Sequence, residues 1–213
     1  MKLKAADHLS LGTIAGTGIL TAALYARLPD RIPMHFDIHG EANGWMARAI
    51  GAWLFPALSL GLWLLLRFGG LILPLTWKER MMASPTAAVG AIFAALFAAV
   101  QGLVLYAALV QPPTVAVSSG LILGVFWIAL GLVMPRVRRN PWIGVRTAWT
   151  LSSDENWART HRFAGYAFTV SGALALVAVA VGYASFATAL IVGSAIVPMV
   201  YSFVLARHLP PSP

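Results

Sequence analysis

The sequence predicts an all-α, polytopic integral membrane protein: a bundle of six transmembrane helices with both termini in the cytoplasm. Three observations predict it. Of the 213 residues, 59% are hydrophobic and only 10% are charged, where a soluble domain carries about 25%. The charges are bunched, so that Met81 to Pro135 is a run of 55 residues without an acidic or basic side chain and Phe163 to Ala206 is another of 44. The basic residues, finally, are dense in alternate loops. Such runs need a solvent other than water, which excludes a soluble enzyme, a disordered tail and a disulfide-stapled secreted module. The absence of cysteine also excludes a thiolate nucleophile and a Cys-type metal site.

A spanning helix needs about 20 mostly apolar residues. Leu9 to Ala26 is the first such segment, ended by Arg27-Leu28-Pro29-Asp30, and Ala49 to Leu66 is the second. The opening Met1-Lys-Leu-Lys has the layout of a signal peptide. No small-residue cleavage motif precedes a soluble mature domain, so the segment is expected to stay as the first span. Past Arg67 the uncharged stretch Phe68 to Trp77 either continues the second helix or lies along the interface. The longest charge-free run would be about 80 Å long as one helix, so it must fold back, and Gln111-Pro112-Pro113 marks the place. Spans near Ala87–Val110 and Val117–Met134 result. The last run divides the same way at Gly182-Tyr183-Ala184-Ser185, giving spans near Phe163–Val181 and Phe186–Ala206.

Counting Lys and Arg on alternate sides sets the orientation. Lys2, Lys4, Arg67, Lys78, Arg80, Arg136, Arg138, Arg139, Arg146, Arg159, Arg162 and Arg207 make 12 on one side, against Arg27, Arg31 and Arg48 on the other. The positive-inside rule places the richer side, with both termini, in the cytoplasm. The +8 formal charge is thereby explained without direct nucleic-acid contact. Arg136 to Arg139 are also positioned to touch anionic headgroups of the lipid bilayer.

Two polar connections carry whatever recognition lies outside the helices: an outer loop, residues 27–48, and an inner loop, residues 135–162. In the outer loop Pro29 and Pro33 disfavour a helix. His35, Asp37, His39 and Glu41 alternate, so an extended strand would place them on one face. That is a candidate ligand set for a divalent metal such as zinc, with His35, Asp37 and His39 the better-aligned three because Gly40 breaks the pattern. Asn43-Gly44 is a turn signal, and Trp45 suits the headgroup layer. The competing readings are a rigid cap on the bundle and a peptide- or ligand-recognition surface formed by His35, Phe36, Asp37, His39, Asn43 and Trp45.

In the inner loop, Ser152 or Ser153 can cap a helix from Asp154, and Ser152 and Glu155 have capping-box spacing. On that helix Trp157 shares a face with His161, and Glu155 can pair with Arg159. Trp142, Trp149 and Trp157 suit an interfacial belt. Arg146, with Thr147 and Thr150, either holds an anionic ligand or partner or pairs with Asp154 to fix the loop. No hydrolase triad is indicated, because Ser-Ser-Asp is explained by capping. The spans lack Asp, Glu, Lys and a deep His, the residues that proton- or ion-coupled carriers use. Gln101 is the one amide well inside a span, and an interhelical hydrogen bond accounts for it. Pro56 and Pro198 are candidate kinks, and Gly12, Gly16 and Ala23 a candidate close helix contact.

Two motif sets extend this reading. Leu28-Pro29, Ile32-Pro33, His35-Phe36, Gly40 and Asn43-Gly44-Trp45 resemble the DUF1648 membrane domain at the N-terminus of the SdpI family. Asn140, Gly144, Arg146-Thr147, Trp149-Thr150-Leu151, Trp157, Thr160-His161-Arg162 and Gly165 resemble that family's C-terminal signature. Asp37 stands where members commonly have Asn, and Ala148 where Pro is common. The resemblance implies a two-span region, residues 1–80, followed by a four-span region, residues 81–213.

It also implies a non-enzymatic role in a bacterial cytoplasmic (inner) membrane: immunity against a secreted membrane-active peptide toxin. A second implied role is signalling, by recruitment of a cytoplasmic transcriptional repressor. The outer-loop residues would then meet the toxin. Asn140, Arg146, Thr147, Trp149, Thr150, Trp157, His161 and Arg162 would serve the partner or fix the loop, with Arg146, Trp149, Trp157 and Arg162 as the docking candidates. The alternatives are a small-solute or lipid transporter and a metal-dependent membrane enzyme.

Overall fold

The computed structural model describes residues 3–208; Lys2, one of the basic residues counted on the cytoplasmic side, lies outside them. Six helices among the described residues are long and apolar enough to cross a membrane. They are α1 (Ala5–Leu24), α2 (Arg48–Phe68), α4 (Thr86–Val110), α5 (Ala116–Val133), α7 (Asp154–Ala180) and α8 (Ala184–His208). Two short helices, α3 (Leu75–Met82) and α6 (Ala148–Ser152), sit in the connections. The outer loop adds a two-stranded antiparallel hairpin, β1 (Arg31–Phe36) and β2 (Ala42–Ala47). The chain is a multi-pass, predominantly helical membrane protein.

The helix ends have local causes. Asp7 accepts the backbone N–H of Lys4 at 2.9 Å and so satisfies a donor left free at the start of α1. Helix α4 stops where Gln111 turns left-handed, at φ 52°, directly before two prolines. The turn into α8 needs Gly182, at φ 90°. Beyond Phe68 the chain neither continues α2 nor runs as unstructured backbone. A 3-10 turn at Gly69–Ile72 and then Pro74 redirect it into α3. With Leu71, Ile72, Leu75 and Met82 exposed beside Lys78 and Arg80, this segment has the composition of an interfacial helix.

The spans group three and three. Helices α1, α2 and α4 pack together, α5, α7 and α8 pack together, and α4 against α5 joins the groups. In the first group Gln101 is fully buried and donates to Thr21 Oγ1 at 3.1 Å and to the Ala52 carbonyl at 3.0 Å. One amide therefore ties α4 to both α1 and α2. In the second, Trp127 Nε1 and Ser171 Oγ both donate to Ser194 Oγ, at 2.9 and 3.0 Å, joining all three helices.

The tightest helix contact is made of glycine, but not of the glycines the sequence singles out. Gly12 and Gly16 have nothing within 4 Å of an added Cβ, and Ala23 is exposed. Instead Gly124 and Gly131 of α5 meet Gly165 and Gly172 of α7. A Cβ on Gly172 would lie 2.7 Å from the Gly124 carbonyl oxygen, and one on Gly165 3.0 Å from that of Gly131. The glycines on each helix are seven residues apart, which keeps them on one seam along two antiparallel neighbours. Pro56 and Pro198 are buried within α2 and α8, both of which are continuous through them.

Candidate functional site

The outer loop is a hairpin with an anchored side and an exposed side. Ile32 is fully buried and, with Leu28, packs on Ala52, Val104, Leu105 and Ala108. Gly51 allows the approach, since a Cβ there would lie 2.9 Å from Ile32 Cδ1. Arg48 closes the base: its Nη1 donates to the Leu28 carbonyl at 2.8 Å, its Nη2 pairs with Asp30 at 3.2 Å, and its guanidinium lies 5.3 Å from the Tyr25 ring centre. The tip is held by the other half of the bundle. Thr114 Oγ1 donates to the His39 carbonyl at 2.5 Å, and the Val115 N–H donates to that of Gly40 at 2.9 Å. Gly40, at φ 76°, is required there because a Cβ would overlap the backbone of Ala116.

The turn lies elsewhere than Asn43-Gly44. It runs from Asp37 to Glu41, and Asp37 Oδ1 organises it by accepting the N–H groups of His39 at 2.8 Å and Glu41 at 3.0 Å. Asn43-Gly44 belongs to β2 instead. Asn43 Oδ1 is 2.5 Å from His35 Nδ1, which therefore donates, and Gly44 leaves room for His35, whose Cβ would be 2.8 Å from an added Cβ. Since β1 ends at Phe36, the extended-strand face expected for His35, Asp37, His39 and Glu41 is not formed. Among the described residues no group of three His, Asp or Glu side chains is placed to hold a metal ion. Phe36 and Asp37 are half-buried, whereas His35, Ile38, His39, Asn43 and Trp45 are exposed.

The inner loop is knitted to the helices beneath it. Buried Asn140 accepts the N–H groups of Trp142 and Ile143 at 2.8 and 2.9 Å and donates to the Arg138 carbonyl at 2.8 Å. His161, 1% exposed, receives the Val145 N–H on Nε2 at 3.1 Å and donates from Nδ1 to the Trp157 carbonyl at 2.8 Å. Using one ring nitrogen as acceptor and the other as donor requires the neutral imidazole. Gly144, at φ 114°, touches that ring so closely that a Cβ would overlap Nε2. Trp157 stacks on His161 with ring centres 4.0 Å apart and donates from Nε1 to the Val137 carbonyl at 2.8 Å.

Thr147 caps α6 by accepting the Thr150 N–H at 3.2 Å, and Thr150 Oγ1 donates to the Val145 carbonyl at 2.7 Å. Thr147 Oγ1 also lies 3.1 Å from Ser202 Oγ, while Asn156 Nδ2 donates to the Ser202 carbonyl at 3.0 Å, so the loop is fastened to α8.

Several inner-loop expectations change as a result. Trp157, 3% exposed, presents no surface to a partner. Asp154 pairs with Arg80, at 2.5 Å, and receives Arg139 Nη2 at 3.3 Å, rather than pairing with Arg146. Its carboxylate raises the Arg80 guanidinium further above its ordinary value. Arg146 is exposed and donates to the Pro141 carbonyl at 2.6 Å. The capping box belongs to Thr147 and Thr150, while Ser153 alone caps α7, accepting the Asn156 N–H at 3.2 Å. The Glu155–Arg159 pair is present at 2.5 Å. Arg146, Trp149 and Arg162 remain at the surface, Trp149 with its ring 4.9 Å from that of Phe203.

Both elements fall inside recognised segments. Residues 136–202, which hold the inner loop, α7 and most of α8, match the SdpI/YfhL protein family. Residues 12–60, which hold the outer hairpin, match the domain of unknown function DUF1648. The chain thus carries an SdpI/YfhL-like segment behind an N-terminal DUF1648 segment. Neither a curated protein nor a solved structure matches it. Contacts that sequence reasoning missed tie each of these segments to the chain between them. The Thr114 and Val115 bonds to the hairpin tip link neighbours distant in sequence, as does the Arg80–Asp154 pair. Ser202 gave no signal at all, being one hydroxyl in an apolar run.

Proposed function

We propose that this protein is a membrane immunity protein: the exposed side of its outer hairpin meets a secreted amphipathic or apolar peptide at the outer headgroup layer. The carrying observation is the two-sided hairpin. Buried Ile32 and the Thr114 contact hold it rigidly, while Trp45, half exposed, stands free beside the bonded His35–Asn43 pair. An anchored aromatic supplies apolar contact area at little entropic cost, and the polar pair orients a bound backbone. The family match supports an immunity-type role, and the alternating loop charges support an inner-membrane orientation with both termini inside.

The transporter reading has less support. The cavity at the seam of the two helix groups, about 280 Å³, is lined mainly by apolar side chains, among them Leu66, Phe93, Leu130 and Phe168, with the Trp142 indole beside them. In a sensitive host challenged with such peptides, cells carrying the chain should keep their membrane potential and cells without it should lose theirs. Because the chain has no cysteine, Glu41→Cys in the same cells should react with an impermeant thiol reagent from outside. Protection failing against every peptide tested removes the immunity role, and labelling only after lysis removes the orientation.

A second reading, recruitment of a cytoplasmic transcriptional repressor, rests on the inner loop's exposed residues. Arg146, Trp149 and Arg162 stand free of the buried bonds that fix the loop. Exposed Arg and Trp are frequent interface anchors. Arg146→Ala should lower recruitment of the repressor to membranes while the protein's own membrane abundance is unchanged. A parallel fall in abundance would make Arg146 a structural residue.

A further inference from the structure

At the end of the bundle that carries both termini, a cavity of about 120 Å³ opens between α1, α2, α3 and α4. Lys4, Arg67 and Lys78 line it, and its apolar wall includes Trp63, Leu66 and Met81. The one acid present is occupied by the fold: buried Asp7 accepts the Trp63 indole N–H at 3.3 Å and the Lys4 backbone N–H at 2.9 Å. The lining thus carries three basic residues and one carboxylate, whose two oxygens accept from Trp63 and from the Lys4 backbone. The pocket has a net positive charge, half-enclosed by apolar side chains.

We propose that this pocket binds the phosphate of an anionic phospholipid from the surrounding leaflet. Charge, size and depth support it together. A phosphate diester is complementary to the cation cluster, and a basic pocket between spans is a setting in which anionic headgroups bind. The cavity, about 120 Å³, has the scale of a headgroup phosphate rather than of a pair of acyl chains. Those chains have a track outside it. Leu71, Ile72 and Leu75, on the turn and helix that form the pocket's rim, are 68%, 77% and 68% exposed. Depth follows from α3, whose apolar and basic side chains suit the interface where phosphates lie. Binding there would pin α3 and the N-terminal segment against α2 and α4.

The test uses the full chain purified in a neutral detergent, with binding read by native mass spectrometry and by the thermal unfolding midpoint. Phosphatidylglycerol should bind saturably and raise the midpoint; phosphatidylcholine and inorganic phosphate at equal concentration should not. Lys4→Gln and Lys78→Gln should each weaken phosphatidylglycerol binding about fivefold, while Lys78→Arg should retain it. Arg159→Gln, at an exposed position outside the pocket, should bind as wild type does. Equal binding of phosphatidylcholine, equal binding of inorganic phosphate, or wild-type affinity in both Gln variants would overturn the proposal. An equal loss in Arg159→Gln would overturn it too, because net charge alone would then govern binding.

Discussion

Gly131→Ala and Gly172→Ala should each destabilise the protein by about 3 kcal/mol, the upper range for overpacking a well-packed contact, while Gly12→Ala and Gly16→Ala leave it unchanged. The four substitutions add the same methyl group to a membrane helix. At Gly131 it would lie 2.5 Å from Thr169 Oγ1 and 2.7 Å from the Thr169 backbone nitrogen; at Gly172 it would meet the Gly124 carbonyl and the Ile128 backbone. Backbone cannot swing aside as a side chain can, so α5 and α7 would have to separate along their whole seam. In lipid no hydrophobic force restores the contact, because acyl chains solvate the parted faces as well as leucine does. Gly12 and Gly16 meet nothing within 4 Å. Unfolding in mixed detergent micelles checks the series; equal losses at all four positions would mean that the effect is not packing.

His161→Ala should cost about 3 kcal/mol, combining a cavity under the inner loop with an unpaired backbone donor. The imidazole accepts the Val145 N–H and also supports the stacked Trp157. Gly144→Ala should act in the same direction, since its added carbon overlaps the ring and its φ of 114° disfavours any side chain. Both variants should free the loop and raise hydrogen exchange at Val145 and Thr147, while Arg146→Ala leaves exchange there unchanged. If His161→Ala retains native exchange at Val145, the histidine does not hold the loop.

How much of this was legible in sequence depends on range. The spans followed from charge-free runs and from breakers such as Gln111-Pro112-Pro113, because the bilayer imposes a length and prolines end helices. The Glu155–Arg159 pair followed from local spacing, which left Ser152 and Ser153 as alternative caps and gave the capping box to Ser152, where the structure uses Ser153. The hairpin's turn did not. Asn43-Gly44 carries a strong turn dipeptide, yet the Asp37 carboxylate organises the turn six residues earlier, and Gly44 serves to clear space for His35.

The glycine seam was illegible for a related reason. Many span glycines have small-residue spacing, and only the packing partner distinguishes Gly172, whose neighbour is backbone, from Gly12, whose neighbour is open space. Trp157 and Trp149 look alike as interfacial tryptophans. One is buried against His161 and the other lies at the surface, a difference made by the fold of residues 137–147 above them.

Immunity through the outer hairpin is tested most directly by membrane potential in peptide-challenged cells expressing wild type, Trp45→Ala or His35→Ala at equal membrane abundance. Trp45 is 50% exposed, so its loss should leave the fold intact, and His35 contributes its bond to Asn43 at the surface. Wild type should hold the potential, and both variants should let it collapse. Full protection by both variants would contradict recognition at the hairpin.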